Sequence, residues 1–254
     1  MENKRIIGTV IIKENWAVQS FGYKNYLPIG KPELVVENLN WWGADEILVI
    51  DTDSTKENSK PNYGIIEKIV SKNLSTPLIY SGGIHDKDQA KKIIGMGVER
   101  ICLESLLYSN YLEVENISEA IGSQAVIISV PLIYENGKIL YFNYINKKKY
   151  DLKDHNLHFL DGNLFSEILI IDKKNEGGNN TFDMRILEKV LFKKKIIVFG
   201  GISRADKINR LLKKNKISAI AIGNSLNYSE ISIQNIKKKI KIDNFRKPFF
   251  NEYE

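Results

Sequence analysis

Apolar residues along this chain gather into short unbroken runs. Eight of them are rich in Ile, Val and Leu: residues 5–12, 46–51, 76–80, 100–103, 125–130, 167–172, 195–199 and 218–222. Runs of this length without polar alternation read as strands covered on both faces. Between most of them apolar positions recur at helical spacing, as in Pro32 to Asn40, Gly64 to Lys72, Lys87 to Met96, Asp183 to Leu191 and Ala205 to Lys214. Ile231 to Ile240 supplies a closing helix. Strands alternating with helices imply a parallel sheet. Eight such units in 254 residues predict an α/β fold, a (β/α)8 barrel, as one domain over residues 1–254.

The pattern also repeats. Ser81-Gly82-Gly83-Ile84 after the third run returns as Phe199-Gly200-Gly201-Ile202 after the seventh, an offset of 118 residues. Glu46-Ile-Leu-Val-Ile-Asp51 returns as Glu167-Ile-Leu-Ile-Ile-Asp172, an offset of 121. Two half-barrels of four units each account for both offsets. Two insertions interrupt the rhythm. Residues 13–31 read as a long loop carrying Trp16, Tyr23, Tyr26 and Pro28, and residues 132–146 read as a hairpin turning at Asn136-Gly137. Long loops at the C-terminal face of a barrel cover its active site.

Composition is that of a folded globular chain, 43% hydrophobic and 10% aromatic. The single cysteine, Cys102, permits no disulfide within the chain, which favours a reducing compartment. No apolar stretch approaches the roughly 20 residues that span a bilayer, and the first residues lack the apolar core of a signal peptide. A cytoplasmic protein without a membrane partner is expected. The net charge of +6 raises nucleic-acid binding, but the lysines sit in short scattered runs (Lys147–Lys149, Lys193–Lys195, Lys213–Lys214, Lys237–Lys239) among Ile, Leu and Asn. No stripe of interleaved basic and aromatic residues accompanies them, so no nucleic-acid partner is expected.

Four charged residues stand at the start of apolar runs: Arg5, Glu46, Arg100 and Glu167. In a parallel barrel they line the N-terminal mouth as a ring of alternating sign, a self-neutralising gate for a small neutral molecule. At the opposite end, Gly82-Gly83 and Gly200-Gly201 each follow a strand and precede a helix, where backbone N–H groups approach an anion. Ser105 lies beside the first pair, and Gly223, Asn224 and Ser225 beside the second. Two opposed phosphate cradles imply a long phosphorylated small molecule; taken singly, each glycine pair is only a tight turn. Asp51 and Asp172 end the second and sixth strands, with Asp53 and Glu176 just beyond and Glu104 ending the fourth. These acids suit proton transfer or hydroxyl binding, or they merely cap turns. His85 follows the first glycine pair, and His155 and His158 are expected in a polar segment of the fifth helix. No spacing of metal-ligating residues is present, so neither metal nor cofactor is expected.

With these pieces in place the chain resembles, over nearly its full length, HisF, the cyclase subunit of imidazole glycerol phosphate synthase. The resemblance is carried by Lys4-Arg5-Ile6-Ile7, Gly43-Ala44-Asp45-Glu46, Ser81-Gly82-Gly83-Ile84, Gly122-Ser123-Gln124 and Glu230-Ile231-Ser232-Ile233, with the half-barrel repeat and the strand-five hairpin. It implies a TIM barrel that takes ammonia from a glutaminase subunit docked at its N-terminal face. Ammonia then passes a four-charge gate, matched here by Arg5, Glu46, Arg100 and Glu167, with arginine where the family usually has lysine. The acceptor is a bis-phosphorylated substrate, cleaved and cyclised in histidine biosynthesis.

The chain departs from the family at the chemistry. The two acid–base aspartates that end strands one and five fall at Ile11 and Pro131, a flexible-loop lysine falls at Gln19, and the strand-four asparagine is Glu104. The strand-six loop is two residues longer, Asp172-Lys-Lys-Asn-Glu-Gly-Gly. Losing one acid–base partner costs about two to four orders of magnitude in rate. The catalytic candidates left are Asp51, Glu104, Asp172 and Glu176. The expectation is a synthase subunit whose family-default product is imidazole glycerol phosphate. A paralogue that aminates or amidinates a sugar for surface polysaccharide is the reading the substitutions suggest. A sister-family isomerase gains nothing from Ile11 and Pro131, because that family uses the same two aspartates. A non-catalytic barrel that only activates the glutaminase is the third reading.

Overall fold

The computed structural model of the chain describes residues 3–56, 59–153, 160, 162–229 and 231–248. Twelve strands run in chain order: β1 (Arg5–Lys13), β2 (Trp16–Phe21), β3 (Asn25–Gly30), β4 (Glu46–Asp51), β5 (Leu78–Ser81), β6 (Arg100–Leu103), β7 (Val126–Glu135), β8 (Lys138–Asn143), β9 (Lys148–Asp151), β10 (Glu167–Asp172), β11 (Lys195–Phe199) and β12 (Ile217–Ile222). Eight of them, in the order β1-β4-β5-β6-β7-β10-β11-β12, pair in parallel, and β12 pairs back to β1. That is the closed eight-stranded barrel the eight apolar runs predict, each strand within a few residues of its run. Helices α1 (Pro32–Trp41), α2 (Thr52–Lys56), α3 (Tyr63–Val70), α4 (Lys87–Gly95), α5 (Leu106–Ser109), α6 (Tyr111–Ile121), α7 (Met184–Lys189), α8 (Ala205–Leu212) and α9 (Ser232–Lys237) lie between and after the strands.

Strand periodicity separates two cores. Alternate residues such as Ile7, Ile11, Leu48, Ile79, Cys102, Leu169 and Ala219 form the cluster that fills the barrel. Their neighbours Ile6, Val10, Ile47, Val49, Ile101 and Ile168 point out and pack under the helices. Side-chain caps mark several helix starts: Asn62 accepts from Ile65 N, Asp86 from Gln89 N and Asp183 from Arg185 N.

The insertion after the first strand differs from its expectation. Instead of a loop, β1 runs on into an antiparallel meander, pairing β2 through Ile11–Val18 and Lys13–Trp16, while β3 pairs β2. Trp16, Ala17 and Val18 carry ordinary strand character, but β3 is mostly exposed and contains Pro28, so side-chain pattern conceals a ladder made by backbone bonds. The second insertion is the expected hairpin, β7–β8, turning at Asn136 (φ 49°) and Gly137 (φ 80°), with β9 added at its edge. His155 and His158 lie outside the described residues. Among the described residues no helix is long and apolar enough to cross a membrane.

Candidate functional site

At the N-terminal end of the barrel, Arg5, Glu46, Arg100 and Glu167 are the first residues of β1, β4, β6 and β10. Each lies two residues before an interior side chain (Ile7, Leu48, Cys102, Leu169), so the strand pleat turns all four towards the axis. They meet as a closed ring. Arg5 pairs Glu46 at 3.4 Å and also pairs Glu167; Arg100 pairs Glu46 at 3.0 Å and Glu167 at 2.8 Å. Two further hydroxyls brace it: Ser166 accepts from Arg100 at 2.7 Å, and Ser218 donates to Glu167. Glu46 and Glu167 are only 6% and 7% exposed, so ion pairing is what keeps charge there. The two acids diverge. Burial, joined by the like charge of Glu167, outweighs both guanidiniums at Glu46 and pushes its carboxyl up. Burial acts the same way on Glu167, but Arg5, Arg100 and Ser218 together overcome it and hold that carboxyl down.

The other end of the barrel opens into a narrow pocket lined by Ile50, Glu104, Ser129, Leu169, Tyr23 and Tyr144 among others. Tyr23 comes from the β2–β3 turn and Tyr144 from the segment after β8, and their rings meet edge to face at 5.4 Å between centroids. Both hydroxyls are buried without a hydrogen-bond partner among the described residues. Glu104 sits at the end of β6 with Ser129 Oγ 3.3 Å from its Oε2. Burial pushes its carboxyl up to about 8, against the smaller opposing effect of Ser129. Glu176 stands behind Tyr23: its Oε2 accepts from Ser20 Oγ and from Tyr23 N, each at 3.0 Å, and burial raises its pKa too. Two lysines hold the same turn. Lys56 donates to Tyr23 O at 3.1 Å, and Lys173 to Gly22 O at 3.3 Å.

The two glycine pairs are related by the internal repeat in detail. A Cβ on Gly82 would stand 2.6 Å from Asp51 O, and one on Gly200 would stand 2.7 Å from Asp172 O. Gly83 and Gly201 adopt φ of 68° and 64°. Around the second pair lies a cavity of about 440 Å³ that brings together Gly177, Gly178, Gly200, Gly201, Gly223 and Ser225. Ser225 Oγ is buried there without a partner among the described residues. Asn224 does different work: it pairs both ways with the Ser20 backbone, accepting at 3.1 Å and donating at 2.7 Å, and so ties β2 to the end of β12. At the first pair, Gly83 packs against the backbone of Ser59 to Pro61, while Ser105 precedes α5.

A family model described as histidine biosynthesis protein matches residues 5–232. The chain belongs to that family. It is 28% identical over 237 residues to a Leptospira borgpetersenii protein named "Putative imidazole glycerol phosphate synthase subunit HisF", covering 91% of this chain and 92% of that protein. It is 25% identical over 257 residues to the Vibrio vulnificus strain YJ016 protein named "Putative imidazole glycerol phosphate synthase subunit hisF2", with 95% and 94% covered. To "Imidazole glycerol phosphate synthase subunit HisF" of Bacillus cereus strain G9842 it is 24% identical over 243 residues, with 94% and 96% covered.

In this member of the histidine biosynthesis family the four acids nominated from sequence separate into two kinds. Asp51 and Asp172 follow the inward residues Ile50 and Ile171 and therefore point outward. Asp51 accepts from Asp53 N, Ser54 N, Ser54 Oγ and Tyr80 Oη at 2.7–3.4 Å. Asp172 accepts from Asn175 N, Asn175 Nδ2 and Asp183 N at 2.8–3.2 Å. Both carboxylates are occupied with the turn that follows their strand. Asp53 pairs Lys13, and His85 lies 3.0 Å from Ser59 O. Glu104 lines the central pocket, whereas Glu176, held by Ser20 and Tyr23 N, lines the cavity around Gly200 and Gly201. Ile11 and Pro131 are part of the barrel wall, Ile11 being 2% exposed and paired across the ladder with Ile50, and Pro131 with Ile171. Sequence reasoning passed over Ser129, Tyr144 and Lys56. Ser129 was available from strand parity, two residues past Ile127; Tyr144 depends on how the hairpin folds over the mouth.

Proposed function

We propose that this chain is a HisF-like synthase subunit of a glutamine amidotransferase complex. It receives ammonia from a glutaminase bound at the N-terminal face and uses it on a phosphorylated substrate at the C-terminal face. The observation that carries this is the closed ring of Arg5, Glu46, Arg100 and Glu167, in which each arginine contacts both glutamates. A ring of zero net charge over an apolar interior bars ions and yields to a small neutral molecule when one ion pair opens. The cavity around Gly200, Gly201, Gly223 and Ser225 supports a phosphate subsite, with the glycines letting backbone approach the anion.

The product of this reading is imidazole glycerol phosphate if acids other than the family pair perform the proton transfers. This reading assigns that role to Glu104 and Glu176 as candidates. A second reading is favoured by Ile11 and Pro131, which leave the wall at both family positions without a titratable group. In it the barrel delivers ammonia to a sugar, aminating or amidinating it for surface polysaccharide. The deciding experiment supplies the purified barrel with ammonium ions and the bis-phosphorylated histidine-pathway substrate. Imidazole glycerol phosphate at an enzyme-like rate establishes the first reading; no product, with glutaminase still bound, moves the search to sugars.

A further inference from the structure

The pocket beneath Tyr23 and Tyr144 has the size and chemistry of a site for one very small amine. Its cavity volume is about 30 Å³, room for a water-sized molecule or two. Glu104 lies four residues beyond Arg100 on β6 and the chain leading from it, about 13 Å along a strand from the charged ring. Between the two levels the barrel interior is apolar, formed by Ile7, Leu48, Ile79, Cys102, Ile127 and Leu169. A neutral molecule crosses such a layer and an ion does not. Beyond it stand the Glu104 carboxyl, the Ser129 hydroxyl and the hydroxyls of Tyr23 and Tyr144. Tyr23 is only 7% exposed, and neither tyrosine hydroxyl has a partner among the described residues, so both are open to a ligand that donates or accepts.

We propose that this pocket receives one molecule of ammonia, that Glu104 transfers its carboxyl proton to the nitrogen, and that the ammonium is held by the Glu104 carboxylate with Tyr23, Tyr144 and Ser129. The idea rests on the reading of the chain as an ammonia-using subunit. In the transfer the Glu104 O–H bond breaks and an N–H bond forms on the nitrogen lone pair, leaving carboxylate and ammonium. The reverse transfer restores a neutral nucleophile at the catalytic mouth. With its carboxyl raised to about 8, Glu104 keeps its proton at pH 7, and an ammonium beside it favours the ionised carboxylate against the burial that raises it. The other titratable groups around it stay neutral, because burial raises Tyr23, Tyr144 and Cys102. The nearby charges are engaged elsewhere: Lys56 on Tyr23 O and Tyr26 Oη, Glu176 on Ser20 and Tyr23 N. The two rings add cation–π attraction for ammonium.

Difference infrared spectroscopy at pH 7 reads the protonated carboxyl of Glu104 as the band lost in Glu104→Gln. About nine tenths of that carboxyl is protonated one unit below its pKa. Ammonium chloride is expected to reduce the band at least twofold, while equal potassium chloride leaves it in place. Tyr144→Phe and Ser129→Ala should each shift the response to higher ammonium. A band unchanged by ammonium, or reduced equally by potassium, overturns the site. Should Glu104→Gln not fold, the ammonium-against-potassium difference in the unaltered protein still decides. The measurement needs neither glutaminase nor substrate. Failure here with coupled turnover intact removes this site alone, whereas a responsive band without coupled turnover removes the proposed function and leaves the pocket.

Discussion

Replacing Arg100 by methionine removes one of the two cations of the ring at nearly constant volume. Its side chain is 12% exposed and makes three bonds: to Glu46 at 3.0 Å, to Glu167 at 2.8 Å and to Ser166 at 2.7 Å. Hydrogen bonds to charged groups are worth about 1.5–3 kcal/mol each, and removing one member of a buried pair costs about 3–5 kcal/mol. Two effects reduce that figure. Arg5 still contacts both glutamates, and the folded protein no longer has to desolvate a guanidinium. A net loss of about 2–4 kcal/mol follows. Arg100→Lys should recover part of it, since an ammonium serves both acids as a point charge but lacks the planar fork that reaches Glu46, Glu167 and Ser166 together.

The pH dependence of that loss tests the cause. In the unaltered protein Glu167 is held below its ordinary range. A depressed carboxyl contributes stability above its unfolded pKa, and that contribution is lost as pH falls through its folded pKa. Without Arg100, burial dominates at Glu167 as it already does at Glu46, and both folded carboxyls lie above their unfolded values. A raised carboxyl destabilises the fold at neutral pH and ceases to do so once it is protonated. The gap between the two proteins in urea unfolding should therefore be widest near pH 7 and narrow towards about pH 4. A gap that is constant with pH, or that widens in acid, would refute the view that the ring is an electrostatic unit.

Three other outcomes are expected. Arg5→Ala opens the ring at the mouth, so glutamine-driven turnover should fall while ammonia-driven turnover is kept; equal loss of both, measured with the glutaminase bound, counts against a gate. Gly201→Val puts a Cβ 2.5 Å from Thr181 Oγ1 and 2.7 Å from Asn175 O at a φ of 64°, and should lower inorganic phosphate affinity at least tenfold by calorimetry; unchanged affinity makes the glycine a turn former only. Burial raises the Cys102 thiol to about 12, so it should resist alkylation at pH 8 until the protein is unfolded, as followed by mass spectrometry.

Most of the barrel was legible because its strands are covered on both faces. Burial on both sides leaves unbroken apolar runs, and Glu46–Asp51, Arg100–Leu103, Glu167–Asp172 and Lys195–Phe199 match their runs residue for residue. The charged ring was legible for the same reason: the runs fix the strand starts, and four of those starts carry charges of alternating sign. The meander of residues 13–31 was not, because β3 is an exposed edge whose pairing is made by backbone bonds, and Tyr26, Leu27 and Pro28 do not alternate. Nor was the pocket under Tyr23 and Tyr144, which joins the tip of one insertion to the base of another, more than a hundred residues apart.

The acids carry a sharper lesson. Asp51 and Asp172 attract notice because they end matching strands in the internal repeat, yet the repeat itself explains them. Each carboxylate binds the backbone of its following turn, and each strand end sits against the glycine that follows the next strand, Gly82 or Gly200. A residue shared by the two halves for that purpose needs no further role to explain its presence. Glu104 has no such duty. It falls on the inward parity of β6, and among the described residues its side-chain partner is Ser129. A buried carboxyl that stabilises no turn and pairs no cation lowers the stability of the fold, by the penalty that raises its pKa to about 8. Under the proposed function that cost is offset by the work Glu104 does on the axis that begins at the ring.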